Sequence, residues 1–405
     1  MDPSAIPTAP PISSGPSRTV LAARNGVAVV FALNGLAVAT WFARVPAVRD
    51  GLDLTPGRLG LLLLAMSAGS IVAMPTAGLV TQRLGTARAV ALSTLILTIG
   101  LTVAGVSASV VESLPGVALG LFAIGYGTGS CDVAMNIEGA AVERRLGRTV
   151  LPRFHAAWSL GGVAGAGIGA GAARLGVSIA LHLTVLAALV LVGTLLAVRA
   201  FLAVEPEAEP TTAADRRRRL FAAWREPRTL LIGLLVLAVA FAEGSANDWL
   251  AVAFIDGYGF SEAAGAAVFG LFVAGMTVGR TLGTVALDRW GRTPVLTVTI
   301  VLAIVGAATA VLAGSGPIAV FGVLLWGLGA SLGFPVGMSA AADEEEHAHV
   351  RVSVVAVIGY TAFLAGPPLL GMLGDQIGTL HALLVVPILL IPTLALIPAA
   401  RPPAR

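Results

Sequence analysis

Residues 229–255 read TLLIGLLVLAVAFAEGSANDWLAVAFI. As a helix, this run is long enough to cross a hydrocarbon core of about 30 Å. It contains no basic residue, yet an acid, Glu243, stands almost at its centre, with Asn247 one turn further on and Asp248 beside it. Apolar runs of similar length recur from one end of the chain to the other. The 405 residues are 57% hydrophobic and only 12% charged, with a mean hydropathy of +0.91. Soluble domains hold about 25% charged residues, so the expected fold is an all-α polytopic membrane protein.

Setting apolar runs against glycine, proline and polar breakers predicts twelve transmembrane helices, at 25–47, 58–81, 88–109, 115–141, 154–174, 177–202, 229–255, 263–287, 294–313, 317–342, 351–373 and 379–399. The longest polar connection, EPEAEPTTAADRRRRLFAAWREPR at 205–228, divides them six and six. The expected organisation is a tail at 1–24, a six-helix bundle at 25–202, a linker at 203–228, a second six-helix bundle at 229–399 and a tail at 400–405. The opening MDPSAIPTAPPISSGPSR is rich in proline and serine and has no apolar core, so it reads as a disordered tail and not as a signal peptide.

Lysine is absent, and all 25 basic residues are arginine. With the N-terminus placed in the cytoplasm, only Arg44, Arg49, Arg58 and Arg174 fall outside. Arg144, Arg145, Arg148, Arg153 and the run Arg216–Arg219 all fall inside. Positive charge concentrates on cytoplasmic loops, so both termini are expected in the cytoplasm.

Several function classes lose support. A single cysteine, Cys131, rules out an intrachain disulfide and a cysteine-based zinc site. The net charge of +3 is spread over short loops and forms no nucleic-acid face. No nucleophile–base pair, metal cluster or phosphate-binding loop is visible, so neither an enzyme nor a cofactor is expected. The run Asp343–Glu346, with His347 and His349, reads as a solvated helix end and not as a metal site.

The two halves repeat. GLVTQRLG ends at Gly85, GAGAARLG at Gly176, TVALDRWG at Gly291 and GMLGDQIG at Gly378. Gly85 and Gly291 are 206 residues apart, and Gly176 and Gly378 are 202 apart. NGLAVATW from Asn34 echoes EGSANDW from Glu243. Such duplication is typical of secondary transporters, whose sites lie near the midplane between the repeats.

On these residues the chain resembles the major facilitator superfamily over nearly its whole length. The family's loop pattern G-x-x-x-D-R-x-G-R has one copy at Gly78–Gly85, with Arg83 and Gly85 but Gln82 in place of the acid. The other copy keeps Asp288, Arg289, Gly291 and Arg292 and has Thr284 at the first glycine position. The resemblance implies that these six matched residues, Arg83, Gly85, Asp288, Arg289, Gly291 and Arg292, latch the cytoplasmic face. Asp132-Val-Ala-Met-Asn136 is similar to the E-x-A-x-N of the fucose-permease-like bacterial branch, in which proton-coupled sugar uptake is known. That branch carries an acid in the first helix where this chain has Phe42. The resemblance implies a bacterial inner-membrane location. It also implies a central cavity lined by the first, fourth, seventh and tenth helices.

Asp132 and Asn136 are four apart and share a helix face, with Thr128 and Gly129 a turn earlier. Gly125 and Gly129 allow close helix approach. An ionised Asp in mid-span costs about 2.5–3.5 kcal/mol on insertion scales. A carboxyl whose charge follows water access suits proton coupling. Asp132 and Glu243 are therefore the expected proton carriers, with Glu243 alternatively a ligand for a substrate hydroxyl or ammonium, and Asn34, Asn136, Asn247 and Trp326 are the expected substrate ligands. Trp41 and Trp158 could stack on a sugar ring or anchor at an interface, and Trp249 reads as an interface anchor. Asp248 reads as a solvated helix end, and Arg44 as an outer-mouth residue steering anions. Arg280 is expected to snorkel to the interface or pair with Asp288, and Glu138 to pair with Arg144 or Arg145. His155 is expected at the cytoplasmic edge.

The leading functional reading is a monomeric symporter that couples protons to a small polar solute, sugar-like by resemblance. The alternatives are a proton-driven efflux antiporter of drugs or metabolites and a non-transporting membrane sensor.

Overall fold

The computed structural model describes residues 17–147, 150–202, 221–343 and 348–402, and among these there is no strand. The expected tail up to residue 16, most of the linker, Arg148, and the run from Glu344 to His347 lie outside the described residues. Eleven helices are long and apolar enough to cross a membrane: Arg18–Gly51, Pro56–Leu84, Thr86–Ser109, Leu114–Leu146, Ile179–Ala200, Pro227–Tyr258, Glu262–Trp290, Arg292–Leu312, Gly316–Ala341, Val350–Ile377 and Thr379–Ala400. A further 24-residue helix, Leu151–Arg174, is long enough to cross, but glycine keeps its hydropathy low. Counting it in chain order gives twelve spans, named first to twelfth below. The first span starts at Arg18, so part of the expected tail is helical. Ser17 caps it by accepting from the Val20 amide.

Each of the four repeated corners turns on a glycine with positive φ: 77° at Gly85, 65° at Gly176, 77° at Gly291 and 83° at Gly378. That region strains a residue bearing a Cβ. Four of the six spans that begin at the opposite end from Gly85 and Gly291 are capped by Thr55, Ser113, Ser178 and Ser261, whose hydroxyls accept from the amides of Arg58, Gly116, Leu181 and Ala264. We call that end outer, following the orientation expected from the arginines.

Two spans differ from the continuous helices expected of them. The tenth breaks between Ala330 and Gly333. Pro335 has no N–H to give the carbonyl four residues back, at Ser331. The freed Ser331 carbonyl instead accepts from Arg280 Nε at 3.3 Å. The twelfth falls into short pieces around Pro387, Pro392 and Pro398. In the eleventh, Pro367 likewise frees the Phe363 carbonyl, which accepts from Ser67 Oγ of the second span at 2.6 Å.

Within the first half, close approach depends on glycine. A Cβ on Gly125 would collide with the Met66 carbonyl, and one on Gly35 with the Trp158 carbonyl. Glu138 ties the inner end together through hydrogen bonds, and of the two expected arginines Arg145 adds an electrostatic attraction without a direct ion pair. Glu138 is fully buried, accepts from Thr86 Oγ1 at 2.6 Å and from the Leu202 amide at 2.5 Å, and so pins the start of the third span to the end of the sixth. Glu138→Ala leaves two buried donors unpaired, at about 1–3 kcal/mol each. The expected result is a lower thermal midpoint of the purified protein, larger than for Glu143→Ala, read by intrinsic fluorescence.

The halves meet through the second and eleventh spans and the fifth and eighth. At the outer end charged contacts join them. Arg49 Nη1 reaches both oxygens of Asp256 at 2.7 Å, Arg44 Nε lies 3.2 Å from Glu262, and Asp375 accepts from the Gly57 amide at 3.1 Å. At the inner end, the ion pairs among the described residues stay within the second half: Arg228 and Arg292 to Asp343, and Arg351 to Glu226. Among the described residues, the charged contacts that join the halves lie at the outer end.

A candidate substrate and proton site between the halves

The seventh span is the buried axis of the second half. From Ala238 to Phe254 every residue is buried except Glu243, Asn247 and Asp248, which are partly exposed. A lipid-facing helix exposes apolar side chains, and here the accessible ones are all polar, so they face an internal, water-accessible space. The outward positions around them are filled by Trp249 and Phe254, both fully buried.

Glu243 is ion-paired. Arg280 Nη2 donates to its two oxygens at 3.1 and 3.2 Å. The side chains are 26% and 14% exposed for Arg280 and Glu243, so the pair is neither dry nor at the surface. This corrects the expectation for Arg280, which neither snorkels to the interface nor meets Asp288. The proline break in the tenth span offers a carbonyl, the seventh offers a carboxylate, and one guanidinium takes both.

Asp132 lies deep on the fourth span with partial water access. Its carboxylate accepts from Asn136 Nδ2 at 3.1 Å, and the same nitrogen donates to the Asp132 carbonyl at 2.8 Å. Both contacts stay on one helix. Tyr360 of the eleventh span is close enough to interact electrostatically with both Asp132 and Glu243. His155, exposed on the fifth span, interacts likewise with Arg280 and packs edge-on against Phe31. Groups from the fourth, fifth, seventh, eighth and eleventh spans thus converge across the junction of the halves.

Other expected site residues lie elsewhere. Asn34 is 3% exposed and sits beside Cys131 inside the first half. Trp326 is fully buried, edge-on to Phe272, and its indole N–H has no partner among the described residues. Trp249, expected as an interface anchor, is buried as well, and so is Trp41. Trp158 is half-buried. Asp248, expected at a solvated helix end, lies in the deep interior, because the seventh span continues to Tyr258 beyond it. Arg44 is also buried. It donates to the Val177 carbonyl at 3.1 Å and faces Glu262, so it closes the outer end and is not free to steer anions there.

The loops expected to latch the cytoplasmic face are exposed. Arg83, Asp288 and Arg289 are exposed, and Arg289 lies over the Trp290 ring. Arg292 turns within its own half to Asp343 at 2.6 Å and Ser339 at 2.9 Å. Three participants were not singled out from sequence: Tyr360, Asp256 and Glu262. Asp256 and Glu262 flank an outer loop and read as ordinary helix ends. Tyr360 is one of only three tyrosines, and its place inside an apolar helix was the available signal.

A family model described as Major Facilitator Superfamily matches residues 27–367. An uncharacterized transporter, y4wD of Sinorhizobium fredii, is 32% identical over 359 residues, covering 88% of this chain and 93% of its own. A mutant of the nucleoside transporter NupG superposes with a TM-score of 0.77 at 13% identity, over 93% of this chain and 99% of its own. The E. coli fucose:proton symporter FucP superposes with a TM-score of 0.66 at 16% identity, over 95% of this chain and all of its own. The chain therefore belongs to the Major Facilitator Superfamily and is a multi-pass membrane transporter.

Proposed function

We propose that this transporter couples the movement of a small polar solute to that of protons by alternating access, in the inner membrane of a bacterium and with both termini in the cytoplasm. The structure then represents its cytoplasm-facing form. Asp132 carries the proton, and Glu243 serves as the counter-ion of Arg280. One observation carries this reading. Glu138, Glu243 and Glu262 are each tied to another helix, whereas the hydrogen bonds of Asp132 end on its own helix at Asn136. Protonating Asp132 breaks no bond between helices, so its charge can follow water access as the halves rock. Asn136, Asn247, Tyr360 and His155 surround the solute in this form, and Asn34 and Trp326 support the site from behind. The latch loops around Arg83 and Asp288 engage only when the cytoplasmic side closes.

The test uses purified protein in liposomes loaded with a pH dye and a panel of sugars, polyols, amino acids and organic cations. The wild type is expected to move protons with its substrate in the same direction, and Asp132→Asn to lose this while retaining substrate exchange across equal concentrations. Full uphill transport by Asp132→Asn would refute the assignment. Proton movement opposite to the substrate would identify an efflux antiporter.

A further inference from the structure

The seventh span holds an acid, Asp248, that neither the proton route nor the Arg280 pair uses. Asp248 lies five residues outward of Glu243, about 7 Å along a helix. Among the described residues no hydrogen bond or ion pair reaches its carboxylate, and none reaches the side chain of the adjacent Asn247. Both nevertheless keep water access in a stretch where, apart from Glu243, everything else is buried. Asp256, bonded to Arg49 at the joined outer end, lies eight residues further along the same helix. Asp248 and Asn247 therefore stand between Glu243 and the joined outer end, where, on the transport reading above, a solute entering from the cytoplasm would stop.

The charges in this space do not balance. Among the described residues Arg280 is ion-paired with Glu243, and no ion pair reaches Asp132 or Asp248. Arg280 neutralises Glu243, and a proton neutralises Asp132. Asp248 is left with no countercharge. Charged groups in a membrane interior are costly unless paired. We propose that the cargo supplies the missing charge: the substrate is a small hydroxylated solute bearing a protonated amine, which docks on Asp248. Asn247, with donors and an acceptor to offer, binds a neighbouring hydroxyl. This rests on the transport reading above and adds the substrate class to it.

Matched pairs that differ only in an amine for a hydroxyl test it, such as glucosamine with glucose and glucamine with sorbitol. Binding is read first by thermal shift of the purified protein at constant ionic strength, independently of proton movement. The amine member is expected to bind at least about tenfold more tightly than its partner. Asp248→Asn is expected to lose this preference, and Asp248→Glu, which keeps the charge, to retain it. Equal binding of neutral and amine members, no binding of any amine, or an undiminished amine preference in Asp248→Asn overturns the proposal. So does an Asp248→Asn variant that binds as the wild type does but moves fewer protons per solute, since Asp248 would then be a second proton carrier. The transport reading fails separately, through the behaviour of Asp132→Asn in liposomes.

Discussion

Glu243→Gln is expected to damage the protein more than removing Glu243 and Arg280 together. The single change leaves a guanidinium within the membrane with neutral acceptors, such as the Ser331 carbonyl, but no countercharge. Stripping one partner from a buried ion pair costs about 3–5 kcal/mol, whereas replacing both with neutral groups is often close to neutral. The pair keeps some water access, so the lower end of that range applies. Glu243→Gln should therefore lower the thermal midpoint of the purified protein and reduce transport sharply. The double variant Glu243→Gln with Arg280→Gln should recover most of the stability, and exchanging the two charges should recover some of it. Proton coupling in the stable double variant then separates the two acids. If Asp132 is the carrier, coupling survives the loss of Glu243. A double variant as unstable as the single one would show that the two side chains do not depend on each other.

Arg49→Ala is expected to release the outer end. Arg49 reaches both oxygens of Asp256, which also accepts from Thr379 Oγ1 at 2.8 Å, so one aspartate joins the first span to the start of the twelfth. The pair is partly buried, 13% and 33% exposed for Arg49 and Asp256. Losing it should cost the cytoplasm-facing form about 1–2 kcal/mol, between the values for surface and buried pairs. That moves the balance between forms about tenfold. Phe42, half-buried against Phe269 across the junction at 6.0 Å, reports the opening. With Cys131 replaced by serine and Phe42 by cysteine, a membrane-impermeant thiol reagent added outside should label the Arg49→Ala protein about tenfold faster. Exchanging the charges of Arg49 and Asp256 should restore part of the protection, the neighbouring Asp50 limiting it. Unchanged labelling in Arg49→Ala would mean that Arg44, Glu262 and Asp375 hold the end shut without it.

The two predictions draw on residues that were visible to different degrees in the chain. Glu243 stands out because an acid at the centre of a long apolar run is conspicuous wherever it occurs. Its partner did not stand out as such. Arg280 lies 37 residues away, towards the inner end of the next span, and the nearest acid in sequence is Asp288. The pairing depends on the break that Pro335 makes in a third helix, which swings a carbonyl into reach of the guanidinium. Asp248 was misplaced for a related reason. A helix end estimated from hydropathy is uncertain by a few residues, and the seventh span runs on to Tyr258. Those few residues separate a solvated end from the interior. Trp249 and Trp326 look in sequence like interface or cavity aromatics. Packing buries both, and no local pattern distinguishes a tryptophan facing a cavity from one facing a neighbouring helix.

Composition and spacing alone were enough to show that the chain lives in a bilayer, where it turns, and that its halves repeat. Each of these depends on residues close together in the chain: an apolar stretch must match the hydrocarbon thickness, and a corner needs a glycine able to take positive φ. The cross-half ties at Arg49 and Asp256, the Arg280 bridge and the unpaired Asp248 came only from the folded arrangement. They depend on helices far apart in the chain meeting face to face, and the energy of a charge in a membrane is decided by whatever stands opposite it.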